Sequence, residues 1–205
     1  MPTPASAQLA IIDAVGVAPL IVIGVAVLVV LAWFIGTYNG FVRFRQHVTE
    51  SWSNVDTELQ RRYDLIPNLV SVCKGYAKHE ADVFERVTQA RAAAMNEQGG
   101  VGPQSQRETE LTGSLGRLLA VSEDYPELKA SQNFLELQRE LANTEDRIQA
   151  ARRFYNANVR DLNTRVDSLP SNLVAKAFGF TRAEYFELTT SAARSTPNVS
   201  ASPGV

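Results

Sequence analysis

"AWFIGTYNGFVRFRQHVTESW", residues 32–52, is where this chain changes solvent. Ahead of it lies the apolar run LIVIGVAVLVVLAWFI, residues 20–35, inside a stretch from Ala14 to Phe41 with no charged side chain. Behind it come arginines and a helical stripe of Val48, Trp52, Val55 and Leu59. A spanning helix needs about 20 mostly apolar residues at about 1.5 Å rise each. In hydrocarbon the backbone must satisfy its own hydrogen bonds, so such a segment is helical. Residues 15–40 are therefore expected to form a transmembrane helix, with Leu20 and Val30 in its apolar body. Trp33 and Tyr38 stand at its C-terminal end, where aromatic rings favour the headgroup layer.

A cleaved signal peptide fits poorly. No Lys or Arg precedes the run, the run is too long for an h-region, and no small-x-small pattern follows promptly. The expectation is an uncleaved anchor behind a short N-terminal segment, residues 1–14. Its orientation follows from charge. The N-terminal flank holds Asp13 and no basic residue, whereas Arg43, Arg45, Arg61 and Arg62 follow the run. The positive side tends to stay in the cytoplasm. The N-terminus is expected outside the inner membrane, and residues 43–205 inside.

Composition narrows the function classes. The chain has 205 residues and a formal charge of −2, so no basic excess points to nucleic acid. The single cysteine, Cys73, excludes an intrachain disulfide framework and any CxxC site. Set among Leu69, Val70 and Val72, it fits a small buried apolar residue.

Residues 41–188 carry helical periodicity throughout, and no segment fits a strand. The stripe from Val48 continues to Tyr63 and meets "RRYDLIPNLV". Asp64 can cap a new helix with Pro67 in its first turn, which predicts a break at Tyr63–Asp64 and a hairpin. A single kinked helix is the alternative, since Ile66, Val70 and Cys73 keep the phase. A second helix is expected over Leu65–Glu97, weakened at Gly75 and ended by the loop "GGVGP", residues 99–103. A third, shorter helix carries Leu111, Leu115 and Leu118. The fourth is expected over Pro126–Ser168, where Phe134, Leu137, Leu141, Ile148, Tyr155, Val159 and Leu162 keep close to a 3.5-residue repeat.

Pro170 stops that helix. Ser171 or Asn172 can cap a short one that Gly179 ends in the left-handed conformation. Thr181 and Glu184 have capping-box spacing for another. Residues 189–205 are small, polar and Pro-containing, and are expected to be disordered. The fold class is thus all-α: a transmembrane helix, then an antiparallel bundle of about four long helices with short C-terminal helices.

Chemistry is sparse. His47 and His79 are the only histidines, and neither has a second His or a Cys one turn away. A zinc site needs three or four ligands. No GxxxxGK[ST], GxGxxG or GxSxG occurs. Glu108 and Glu110 sit two apart and do not face each other on a helix. Neither catalysis, a metal nor a cofactor is expected. One polar group stands out: Asp56, Arg61, Arg62, Asp64, Asn68, Asn156 and Arg160, with Asn54, Lys74, Asn158 and Asp161 beside them. Pairs among these can fix helix register; a site for a polar partner is the alternative. Phe178, Phe180, Tyr185 and Phe186 are many aromatics for a chain end, and form a candidate partner patch.

Five ordered motifs carry a resemblance. "TYNGFVRFR", "SWSNVDTELQRRYDLIPNLV", "KGYAKHE", "ARRFYNANVRDLN" and "LPSNLVAKAFGFTRAEYFE" together resemble the LemA family from about Tyr38 to Glu187. The resemblance implies a single-pass membrane protein with a soluble helical bundle and no established enzymatic activity or cofactor. It also implies envelope-associated roles, with a member in magnetosome-forming bacteria that makes membrane shaping conceivable. The chain departs from the family after "YFE", where "LTTSAARSTPNV" replaces a more acidic end. The expected partners are the lipid bilayer and membrane or envelope proteins, with a homo-oligomer as a further possibility. The expected role is a scaffold or adaptor, and the alternative is self-assembly that organises or shapes membrane.

Overall fold

A computed structural model describes the backbone of residues 4–187 and the side chains of residues 19–187. The expected disordered tail, 189–205, lies outside them. The described residues form six helices and no strand: α1 (Pro4–Tyr76), α2 (Ala81–Met95), α3 (Val101–Asp124), α4 (Pro126–Lys129), α5 (Gln132–Asp167) and α6 (Ser171–Phe178). The chain divides into two compact units. Among the described residues, unit 1 comprises 4–46 and 162–182, and unit 2 comprises 47–161 with 183–187.

Unit 2 is the bundle. Trp52 packs on Tyr155, and Arg62, ten residues further along α1, reaches Glu145, ten residues back along α5, so these helices are antiparallel. Arg91 of α2 reaches Tyr63, and Lys74 lies over Phe84, so α2 runs back along α1. Gln104 bonds Ala94 O, and Tyr125 bonds Glu80, so α3 reverses again. The order is up, down, up, down around one core of Val55, Leu59, Ile66, Leu69, Cys73, Phe84, Leu111, Leu118 and Ile148. Buried positions on α5 recur every seven residues at Phe134, Leu141, Ile148 and Tyr155.

Several element boundaries differ from expectation. There is no break at Tyr63–Asp64: α1 is one helix through to Tyr76. Pro67 has no N–H for the carbonyl of Tyr63, but Arg91 Nε donates to that carbonyl at 2.6 Å. The orphan acceptor is satisfied from another helix, so the proline is absorbed. The reversal falls instead at residues 77–80. There Gly75 has lowered helix propensity, and turning back lets Ala77 and Phe84 both bury. The expected helix Leu65–Glu97 is therefore two pieces.

The "GGVGP" segment is not a loop throughout. Gly100, at φ 99°, takes the backbone through a region closed to side chains, and α3 starts at Val101 with Pro103 in its first turn. The expected long helix Pro126–Ser168 is interrupted at Ala130–Ser131, which leaves a single turn, α4, whose Leu128 is fully buried. Its 36-residue remainder, α5, is about 54 Å long.

In unit 1, Thr37, Gly40 and Phe41 of α1 are buried, as are Leu162, Asn163, Val174 and Ala175. α6 ends at Gly179, φ 70°, and Phe180 N donates to Ala175 O at 2.9 Å, the left-handed cap expected there. Ser171 does not cap α6. Its hydroxyl donates to the Arg165 and Ser168 carbonyls that end α5.

Candidate functional site

The residues singled out above fall in three neighbourhoods. The first, in unit 1, is the anchor and its exit. Leu20, Val30 and nearly every other large residue from 20 to 35 are exposed, with Trp33 and Tyr38 at the end of the run. In an aqueous protein such a surface would be an aggregation patch. The helix is long and apolar enough to cross a membrane, and its exposure fits a membrane anchor rather than a core helix. Arg43 and Arg45 follow, both exposed, and the Arg45 guanidinium lies 5.5 Å from the Phe180 ring centre.

The second, in unit 2, is a buried polar node. Arg62 is 1% exposed and Glu108 0%. Arg62 Nη2 donates to Glu108 Oε2, and Nη1 donates to Glu145 Oε2 at 2.9 Å and Thr112 Oγ1 at 3.3 Å. The Tyr63 hydroxyl donates to Glu108 Oε1, which also accepts from Gln104 Nε2 at 2.8 Å. Burial, and then the neighbouring Glu108 carboxylate, raise the Tyr63 phenol well above its ordinary pKa. Gln149 supports the other oxygen of Glu145 at 3.0 Å. One guanidinium thus pins α1, α3 and α5 together, and Arg62 Nε remains without a hydrogen-bond partner.

Of the expected polar group, only Arg62 belongs to this node. Asp56, Arg61, Asp64, Asn68 and Arg160 are exposed. Arg61 pairs with Glu58, and Asp64 accepts from Gln60, each along its own helix. In the sequence Glu108 stands out only as one of two carboxylates spaced two apart. The missed signal is its phase: Glu108, Leu111, Leu115 and Leu118 share one face.

Asn156 serves the third neighbourhood, an extended strap of residues 183–187 in unit 2. Its amide donates to Phe186 O at 3.1 Å and accepts from Phe186 N at 2.9 Å. Tyr155 OH donates to Glu184 O at 2.9 Å, and Ser105 OH to Glu187 O. Gly102 N donates to the Glu184 carboxylate at 3.2 Å, so the expected capping box with Thr181 does not form and no helix follows. Phe186 is 0% exposed and meets Trp52 edge to face at 5.4 Å. It is a core residue and drops out of the expected partner patch. Tyr185 is exposed, while Phe178 and Phe180 pack in unit 1.

Among the described residues no group of three or more His, Cys, Asp or Glu could hold a metal ion. His47 makes an exposed pair with Glu50 at 3.6 Å. A surface groove of about 550 Å³ is lined by Lys74, Lys78, Phe84 and Glu85.

Fold and exposed apolar helix together define a helical-bundle protein whose N-terminal helix fits a membrane anchor. The sequence model of the LemA family matches residues 51–200, and the chain belongs to that family. It is 29% identical over 194 residues to Magnetosome protein MamQ 2 of Paramagnetospirillum magneticum, covering 79% of this chain and 69% of the relative. It is 28% identical to Magnetosome protein MamQ of Magnetospirillum gryphiswaldense, over 73% of this chain and 64% of the relative. It is also 23% identical to Protein LemA of Metamycoplasma hominis, over 75% and 70% of the two chains.

Proposed function

We propose that the chain is a non-enzymatic scaffold or adaptor tethered to the inner membrane by α1, with its N-terminus outside and its bundle in the cytoplasm. The observation that carries the reading is the exposed apolar surface of residues 20–35 on the helix that also supplies Arg62 to the bundle. A tether confines the bundle to two dimensions and raises its effective concentration near membrane partners. The basic pair Arg43 and Arg45 supports the orientation. Exposed charge of both signs along α5 offers membrane or envelope proteins a polar surface.

Proximity labelling from the C-terminal tail in intact cells tests the adaptor role. A reproducible small set of membrane proteins is expected, and a profile identical to that of α1 fused to an unrelated bundle rejects it. Engineered cysteines at positions 8 and 200 test the orientation, since labelling of position 200 from outside overturns it. A second reading, self-assembly that organises membrane, draws on the magnetosome proteins among the relatives. A large homo-oligomer that deforms liposomes favours it over the adaptor.

A further inference from the structure

We infer that α6 and the α5–α6 turn form a second membrane contact, lying in the headgroup layer of an anionic bilayer beside the exit of α1. The inference rests on α1 being membrane-inserted, and concerns unit 1 alone. Phe178 stands 5.6 Å from Phe34 and 4.8 Å from Tyr38, ring centre to ring centre. Phe34 lies within the apolar run, and Tyr38 is one helical turn, about 6 Å, further on. The end of α6 is therefore level with the last turn of the run, the layer that Trp33 also occupies.

Next to that end of α6, the helix and the turn before it leave large apolar side chains wholly or partly uncovered. Leu169, in the turn, is 78% exposed, Leu173 on α6 is 61% exposed, and Phe178 is half exposed. Val174 and Ala175 fill the packed side of α6, so Leu173 is not needed for the fold of unit 1. Apolar side chains beside a spanning helix, at interface depth, meet lipid before any other partner.

Charge points the same way. In residues 19–46 and 162–182, Arg43, Arg45, Arg165, Lys176 and Arg182 face a single acidic residue, Asp167. Arg182 pairs with Asp167 at 3.6 Å, and Arg165 covers the Phe41 and Phe44 rings at 5.9 and 5.3 Å. Basic groups on the rim of an apolar patch match the negative surface of a cytoplasmic leaflet.

The test uses the full chain in phosphatidylcholine–phosphatidylglycerol vesicles, with bimane on single cysteines replacing Val30, Leu169, Leu173 or Arg139. Native Cys73 is fully buried, and the unsubstituted chain shows how little label it takes up. Lipids brominated deep in the chain should quench Val30→Cys, and lipids labelled near the headgroup should quench Leu169→Cys and Leu173→Cys. Iodide quenching at 169 and 173 should be several-fold weaker than at exposed Arg139→Cys. Deep quenching at 30, with 169 and 173 as open to iodide as 139, overturns the second contact and leaves the anchor standing. No lipid quenching at 30 overturns both.

Discussion

Removing the Glu108 carboxylate is the sharpest test of what holds the bundle together. In Glu108→Ala, Arg62 stays buried and keeps Glu145 at 2.9 Å and Thr112 at 3.3 Å, while the Tyr63 hydroxyl keeps Gln104 at 3.0 Å. Breaking a buried pair by deleting one partner costs about 3–5 kcal/mol. The surviving contact to Glu145, a half-exposed carboxylate, places the loss near the lower end, about 3 kcal/mol. Against a typical domain stability of about 5–15 kcal/mol, that is severe. Arg62→Met leaves Glu108 buried without its cation and falls in the same range. The double variant Arg62→Met/Glu108→Met removes both charges, lets Glu145 turn to solvent, and should be as stable as the parent or more so.

Trp33 and Trp52 are the only tryptophans, and Trp52 packs on Tyr155 and Phe186 within the bundle. A Trp33→Phe background therefore leaves one fluorescence reporter for denaturant unfolding of the full chain in detergent. A Glu108→Ala chain within about 0.5 kcal/mol of its parent, the scale of an ordinary surface change, would mean that the buried pair holds nothing together. A double variant that loses the sum of the two singles would mean that Arg62 and Glu108 are uncoupled, since coupled neighbours do not add.

Arg91→Met should cost about 1–3 kcal/mol by leaving the Tyr63 carbonyl bare, and Pro67→Ala, which restores its helical donor, should erase most of that loss. Additive losses in the same denaturant melts would exclude the compensation. Phe186→Ser should destabilise the bundle by about 3–5 kcal/mol, as large core truncations do; a chain that melts like its parent contradicts the strap packing. Burial, helped by the Glu184 carboxylate, pushes Tyr155 up to about 12. A phenol raised above its unfolded value of about 10 adds stability that is whole below about pH 10 and is lost as pH climbs through the folded value. Phenolate absorbance and circular dichroism should show late-ionising tyrosine released as helix melts, and ionisation of all six tyrosines in one step with the fold intact would refute it.

Periodicity carried most of the architecture. The apolar run, the stripe from Val48 to Leu59, the leucines of α3 and the repeat of α5 each depend only on side chains three to four residues apart, which a sequence displays directly. The reversals were harder to read because each is decided by a distant partner. The helical bond lost at Pro67 is replaced by Arg91, which reaches the Tyr63 carbonyl from 28 residues further along the chain. Glu184 leaves its capping box because Gly102, 82 residues away, offers an N–H. Local rules for caps and breakers take the nearest donor and acceptor, and here the winning ones lie on other helices.

The same distinction explains why the bundle holds charges at its centre. Apolar stripes repeating every three to four residues pack almost as well when one helix slides by a turn, so they leave register weakly specified. Arg62 removes that freedom. Its guanidinium meets Glu108 on α3 and Glu145 on α5 at once, and a slide of one turn along either helix, about 5.4 Å, would leave a buried charge alone. We propose that Arg62 thereby favours this alignment over its one-turn slides. On this account the double methionine variant keeps its stability and helicity but loses uniqueness, visible as broadened methyl resonances and faster amide exchange along α3. A double variant with sharp spectra and parental exchange would mean that packing alone sets the register.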